Sequence, residues 1–592
     1  MAHYYHPGPG PPGARPGPRP PSARPGPPSQ GVSSPPPPPP PGPQLNRSIH
    51  DAIQQYDIPS CERLVTEHPE SVNEKGWYGF SPLHQVCMRG LPQLMELLLA
   101  HGAEVDATND YGETALHYAC KRGIPVFVHQ LIEKGASVRT TDKKGWNAMH
   151  HAASGGSIHI MHYLSEVCGL GFRDKDNNGQ TVMHIVCSGL ANLEAFQYCL
   201  REQRCDPTLP DLEGNTPLHL AAKMGQGVFC WNLLTICGCQ MLQVPNRQGQ
   251  LPVDLARQGN TFKHRDIAST LSYFMNRRSK DTSVAGPVSA WWALLLTPTV
   301  VPVFAYSLEQ WIPFYGSLMT VVVLGLMLVV VFQQTHRLQH ATRWANPTYI
   351  GAFAGGLFHT AACFYYKVLP AIWPQLFLSV CGVAGTLICF PMFYILIRSE
   401  PGYVKRPKVN EEGRTMTIKD VGEGTCGLTD FCGTCEMVKP VMAKHCKLCE
   451  KCVSGLDHHC LFLYNCVARN NHRLFVTFIQ FVLLTQATFV CSAVLYFGQV
   501  YASSTIWEAV PTIVTGDVWV ASLLLVNCLC LFWGCNLLSQ QYSVVLKGYT
   551  TVQSPPTLMP MDLSFKGQVN NLVNFYLHRR PHIDYDVQPA WT

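Results

Sequence analysis

Charge is scarce in this sequence. Only 14% of its 592 residues are Asp, Glu, Lys or Arg, against roughly 25% in ordinary soluble domains, while 46% are hydrophobic. The shortfall is local: the windows 282–308, 310–336, 344–366, 368–397, 474–507 and 518–546 hold no charged residue at all. Each exceeds the roughly 20 residues a helix needs to cross a bilayer, which excludes a wholly soluble protein. A large net charge is missing too. With 44 basic and 39 acidic residues the balance is +5, too even to imply a nucleic-acid partner from bulk electrostatics. The N-terminal residues lack the apolar core of a secretory signal, so the 25 cysteines are expected to be reduced thiols rather than a disulfide framework.

What is present falls into blocks. Residues 1–46 hold 19 of the 46 prolines and no acidic residue, and are expected to form a disordered or polyproline II tail. From 47 to 275 the chain repeats itself. SPLHQV at 81, TALHYA at 114, NAMHHA at 147, TVMHIV at 181, TPLHLA at 216 and LPVDLA at 251 space His84, His117, His150, His184 and His219 by 33, 33, 34 and 35, with Asp254 in the sixth place. Period and pattern resemble the ankyrin repeat. That resemblance implies a helical solenoid whose units stack because none can bury its apolar face alone. The histidines would then hydrogen-bond within and between repeats rather than hold metal. A concave face would bind partner proteins, with Tyr118 and Trp146 as candidate aromatic contacts.

The uncharged windows predict helices near 288–306, 312–332, 348–366, 374–397, 474–497 and 518–538, four spans in 288–397 and two in 474–538. Arg277, Arg278 and Lys280 precede the first, Arg337 and Arg343 separate the second from the third, and twelve Lys or Arg lie from Arg398 to Arg473. The opposite connections offer only Glu309, Lys367, Glu508 and Asp517. Both termini, the repeats, the loop 398–473 and the tail 539–592 are therefore expected in the cytosol.

Eight of the cysteines crowd between Cys426 and Cys466. The loop reads Cys432-x2-Cys435, His445-Cys446-x2-Cys449-x2-Cys452, Asp457-His458-His459-Cys460, then Cys466. Short Cys-x2-Cys pairs suit tetrahedral zinc. Seven Cys and three His from 432 to 466 make ten candidate ligands, two more than a pair of four-coordinate sites can use. Counting alone does not choose the two left over.

The loop resembles the cysteine-rich domain of the DHHC protein S-acyltransferases, or palmitoyltransferases. Repeats followed by six spans, with this loop between the fourth and fifth, resemble the ankyrin-bearing, huntingtin-interacting-protein class of that family. The fold implied is all-α: an ankyrin-repeat solenoid, a six-helix transmembrane domain and a small cytosolic zinc-binding domain at 398–473. The resemblance implies one structural Zn2+ on Cys432, Cys435, His445 and Cys452 and a second on Cys446, Cys449, His459 and Cys466. His458 and Cys460 are then left over. It further implies that Cys460 takes a long-chain acyl group from palmitoyl-CoA, with His458 as base and Asp457 fixing its tautomer, and passes it to cytosolic cysteines of clients held by the repeats. Phe462, where the family has Trp, and Thr551 are expected at the acyl-CoA site. The implied location is an endomembrane, the Golgi in particular.

Chemistry and placement agree with that reading. A cysteine attacks as its thiolate, and a carboxylate-oriented histidine can accept the thiol proton. A site tethered by spans leaves the acyl chain in lipid, avoiding a cost on the order of 10 kcal/mol for extracting sixteen carbons into water. Some positions depart from the family pattern: Leu461-Phe462 for Pro-Trp, Glu400-Pro401-Gly402 for Asp-Pro-Gly, and Gln553 for Glu in the Thr-Thr-x-Glu motif. Asn571 stands where the family carries a C-terminal asparagine, and Cys426 has no assigned role. Three other readings compete: a catalytically silent zinc and ankyrin scaffold, a six-span cation channel, and a RING-type ligase. Intact Asp457, His458 and Cys460, the length of 398–473, and the ligand spacing argue against them in turn. The repeats are expected to be separable, so that deleting 47–275 would spare acyl loading of Cys460 but not transfer to clients.

Overall fold

The computed structural model describes residues 48–189, 193–201, 204–275, 291–311, 347–405, 417–440, 442–502, 517–548 and 564–577, with isolated positions near 322 and from 505 to 513. The Pro-rich tail, nearly all of the second predicted span at 312–332, and Thr551 and Gln553 lie outside the described residues. Two units divide at Ser48, the second running from Ile49 onward.

That second unit begins with paired helices. The inner ones include Pro82–Arg89, Ala115–Arg122, Ala148–Ser154, Val182–Ser188, Pro217–Lys223 and Pro252–Gln258. The first five open on a cap closed by the repeated histidine. The backbone N–H of Ser81, Thr114, Asn147, Thr181 and Thr216 donates to Nδ1 of the histidine three residues on, at 3.1–3.4 Å. With Nδ1 accepting, Nε2 carries the proton. In four of the five it meets a carbonyl of the next repeat: His84 to Glu113 at 2.9 Å, His117 to Thr140 at 3.1 Å, His184 to Asn215 at 3.1 Å and His219 to Gln250 at 3.2 Å. Asp254 closes the series by accepting from Leu251 N–H at 3.0 Å. His84, His117, His184 and His219 thus each tie their unit both to its own helix and to its neighbour. Gly145 in the turn between units has φ +81°, and a Cβ there would lie 2.7 Å from the Asn177 backbone nitrogen.

One apolar core runs the length of the array, and it does not stop with the repeats: Ile418, Val421, Cys426 and Phe431 of the Cys-rich loop belong to it. The short helix Ile418–Gly422 packs on the outer repeat helices Pro125–Glu133 and Ile158–Glu166. A Cβ at Gly422 would come within 2.8 Å of the Tyr163 ring. Phe431 stacks on His162, ring centroids 5.9 Å apart, and meets His159 edge-on at 6.1 Å.

Three described helices are long and apolar enough to cross a membrane: Leu376–Arg398, His472–Val500 and Val518–Lys547. They fall on the fourth, fifth and sixth predicted spans. Trp291–Trp311 carries Pro298 and Pro302 without breaking, and lies along Thr348–Cys363. Glycine permits that approach, since a Cβ at Gly351 would sit 2.3 Å from the Leu295 carbonyl oxygen. Thr348–Cys363 continues through a π-turn, Phe364–Val368, which presents Lys367 to Asp517 at 3.2 Å. Tyr496 and Tyr501 donate to the same carboxylate at 2.9 and 2.8 Å. Lys367 and Asp517, two of the few charges among these apolar helices, therefore neutralise each other.

The helical chain is interrupted at the Cys-rich loop by three antiparallel hairpins: β1 (Phe431–Cys432) with β2 (Met437–Val438), β3 (Ala443–Cys446) with β4 (Lys451–Ser454), and β5 (His458–Cys460) with β6 (Asn465–Val467). Cys-x2-Cys knuckles need tight reversals, and a two-stranded ribbon supplies them where a helix cannot.

Candidate active site

Register brings the loop's polar side chains together. β3–β4 sets His445 opposite Cys452, and β5–β6 sets His459 opposite Cys466. Cys432 at the end of β1 and Cys435 in the turn after it join the first pair, and Cys446 at the end of β3 and Cys449 in the turn after it join the second. Two groups result, Cys432, Cys435, His445, Cys452 and Cys446, Cys449, His459, Cys466, each with its ligand atoms within 4.8 Å of one another. Nδ1 of His445 lies 3.5, 3.3 and 3.9 Å from the sulfurs of Cys432, Cys435 and Cys452. Nδ1 of His459 lies 3.6, 3.4 and 3.5 Å from those of Cys446, Cys449 and Cys466. A tetrahedral zinc with bonds of roughly 2.3 Å to sulfur and 2.05 Å to nitrogen separates such ligands by about 3.6 Å. Both groups fit that ion. A third cluster, Glu113, Asp142 and His151 in the array, is taken up by hydrogen bonds from Tyr118, Asn109 and the Trp146 backbone N–H.

Each knuckle ends on a glutamate in left-handed conformation, Glu436 and Glu450, both with φ 53°. The outer face of the array grips both. Arg204 meets Glu436 at 2.5 Å, and Arg201 and Gln197 reach Glu450 at 3.7 and 3.0 Å. Arg201 also donates to the Thr434 carbonyl, and Lys447 meets Glu194 at 2.9 Å.

Outside both groups stand Asp457, His458 and Cys460. Asp457 is wholly buried, and its Oδ2 lies 2.7 Å from His458 Nδ1. Burial lowers the His458 pKa, but hydrogen bonds with Asp457 and Cys460 and their charges outweigh it, lifting the imidazole to about 9. Cys460 is buried where the loop meets the spans, among Leu396, Phe393 and Phe478. Asn465, opposite Cys460 in β6, donates to the carbonyls of Leu396 at 3.1 Å and Ser399 at 2.8 Å, capping the end of Leu376–Arg398 and seating the hairpin on that span. The segment after it follows suit, with Gly402 accepting from Ser454 N–H at 2.9 Å. Phe462 turns toward the spans, its ring 5.7 Å from both Tyr349 and Trp533 and 6.2 Å from Phe353.

Two neighbours of Asp457 were not anticipated. Gln541 Nε2 donates to its Oδ2 at 3.1 Å, and His472 Nε2 meets Gln541 Oε1 at 2.6 Å. The one signal in the sequence was a polar pair, Gln540-Gln541, near the end of an otherwise apolar helix. Asn571 donates to the Leu546 carbonyl at 2.9 Å, at the end of Val518–Lys547 rather than at Asp457, His458 or Cys460. Cys426, unassigned from sequence, lies in the core shared by loop and array, and burial pushes its thiol up to about 11.

Residues 426–555 match the DHHC palmitoyltransferase family, and 49–142, 126–211 and 150–244 match ankyrin repeats. The chain carries a DHHC palmitoyltransferase domain. This DHHC domain and the repeats occur together in palmitoyltransferase ZDHHC17 of Rattus norvegicus, 25% identical over 408 residues, which cover 64% of this chain and 62% of that protein. Palmitoyltransferase ZDHHC13 of Homo sapiens is 24% identical over 443 residues, 68% of this chain and 66% of that one. The match thus spans somewhat less than two thirds of these relatives' length. Among solved structures, the ankyrin repeat domain of Bcl-3 aligns with 38% of the chain and 99% of its own at 22% identity, with a TM-score of 0.29.

Proposed function

We propose that this chain is a membrane protein S-acyltransferase that loads a long-chain acyl group from acyl-CoA onto Cys460 and passes it to cysteines of client proteins bound by the ankyrin array. The observation that carries the reading is the set of groups left over: two clusters of four account for eight ligands, while His458 lies between a buried Asp457 and Cys460.

His458 keeps its Nδ1 proton on Asp457, leaving Nε2 to take the Cys460 thiol proton. Cys460 Sγ bonds to the thioester carbonyl carbon as the C–S bond to CoA breaks, and the proton on His458 leaves with CoA as its thiol. A client thiol then gives its proton to His458, its sulfur takes the acyl group, and Cys460 departs to recover that proton. The kinetics are ping-pong. Zinc on the two clusters would be structural, because a closed four-ligand shell has no open position. Phe462 and the aromatic rings around it would line the acyl chain. Six spans with both termini in the cytosol complete the reading, supported by the distribution of basic residues, and a Golgi membrane is what the family resemblance implies.

The test is labelling. Purified chain incubated with labelled palmitoyl-CoA acquires a hydroxylamine-labile label that Cys460→Ser abolishes. An unlabelled wild type, or equal labelling of Cys460→Ser, leaves the silent scaffold as the better reading.

A further inference from the structure

Asp457 sits at the centre of a hydrogen-bonded line that joins the cytosolic ends of two spans. Its Oδ2 lies 2.7 Å from His458 Nδ1 and 3.1 Å from Gln541 Nε2, and Gln541 Oε1 lies 2.6 Å from His472 Nε2. Asp457 is 0% exposed and Gln541 2%. A carboxylate only accepts, so the amide must turn its NH2 toward Asp457 and its oxygen toward His472, and His472 must carry its proton on Nε2. Each orientation in the line follows from the one before it.

We propose that Gln541 is a positioning residue for acyl loading: it holds the Asp457 carboxylate in the orientation that presents His458 to Cys460, and His472 holds Gln541. This rests on the acyltransferase reading above. The Gln541 amide shares Oδ2 with His458, so it opposes rotation of the carboxylate away from the imidazole. The placement has a geometric basis. Val518–Lys547 has 30 residues, about 45 Å at 1.5 Å per residue, against roughly 30 Å of hydrocarbon. The excess lifts Gln541 to the catalytic hairpin, while His472 is the first residue of His472–Val500. Phe575 of the C-terminal helix Phe565–Leu577 closes over the His472 ring at 5.2 Å, and Arg473 donates to the Tyr576 carbonyl at 3.4 Å. The catalytic pair is thereby referenced to two spans and to the C-terminal helix.

The experiment measures Cys460 loading by palmitoyl-CoA in the full-length protein. Gln541→Met keeps the volume and removes the amide; kcat for loading should fall about 10- to 100-fold, the loss expected for a hydrogen bond to a charged group, with KM within about twofold. Gln541→His, which retains an N–H donor, should recover part of the rate. In an Asp457→Asn background Gln541→Met should add nothing, which a general structural role would not produce. Wild-type loading by Gln541→Met, or additive losses in the double variant, overturns the proposal while leaving the acyltransferase reading intact. Absence of wild-type loading overturns both. If Gln541→Met does not fold, His472→Phe against His472→Asn decides, and equal rates overturn the proposal.

Discussion

Arg204 of the array holds Glu436 of the first Cys-x2-Cys knuckle at 2.5 Å, with both side chains nearly buried and 232 residues apart in sequence. The Arg204 guanidinium also lies 4.3 Å over the Tyr198 ring, which fixes its plane. The array and the Cys-rich loop are thereby joined through the β1–β2 hairpin that carries Cys432 and Cys435.

Arg204→Glu should loosen that joint. Removing one partner of a mostly buried pair costs about 3 kcal/mol, and Arg204→Glu with Glu436→Arg should restore part of it. Hydrogen exchange in residues 417–438 reads the effect, and unchanged protection in the single variant would refute the joint. Deletion of 47–275 is a blunter version of the same change. It strips the cover from Ile418, Val421 and Phe431, so we expect it to impair loading of Cys460 as well as transfer, in contrast to the separability inferred from sequence.

Metal removal has a thiol signature. The hairpins are two to four residues per strand, too short to persist without cross-links. Chelation should therefore open six further cysteines, those of the two clusters, to alkylation, beyond Cys460. Cys426 should stay protected as long as the array is docked. A mass shift that is the same with and without chelator would count against metal at these groups.

Acid should destabilise the array. Burial holds His84, His117, His150, His184 and His219 below their ordinary range, His117 at about 4. Each folded pKa lies below the unfolded value, so the stabilisation is complete above about 6.5 and declines as pH falls toward 4, at about 1.4 kcal/mol per pH unit for His117 alone. Hydrogen-exchange protection of residues 82–223 in the full chain should drop between pH 6.5 and 5. A flat profile would show that these histidines take up as many protons in the folded array as in the unfolded chain, and would refute the depressed values.

Asp517 gathers one lysine from the π-turn and two tyrosines, Tyr496 near the end of His472–Val500 and Tyr501 just past it. Asp517→Asn leaves Lys367 without its counter-charge and should lower the melting temperature in detergent by several degrees, with loading per folded molecule unchanged. Loss of loading at unchanged stability would contradict a purely structural role for this clasp.

Much of this was legible in the residues. The His84 to His219 spacing specified the stacked helices, because a period near 33 repeats one packing unit and its cap. The uncharged windows anticipated Leu376–Arg398 and His472–Val500 to within three residues, since the cost of charge in lipid is a property of composition. Val518–Lys547 runs nine residues past its expected end at 538 because polar residues can continue a helix once it leaves lipid. Gln541 is one of them. Its partner Asp457 is 84 residues away, and no periodicity links the two.

The sequence by itself determined the building blocks: repeats from periodicity, spans from missing charge, and a Cys and His inventory with two members to spare. These are local properties of composition and spacing. Only tertiary structure decided that His445 faces Cys452 and His459 faces Cys466, that the loop's Phe431 completes the core of the array, and that Gln541 and His472 brace Asp457. Those contacts depend on strand register and on how apolar helices slide past one another, and an apolar helix carries no pattern from which its neighbours can be read.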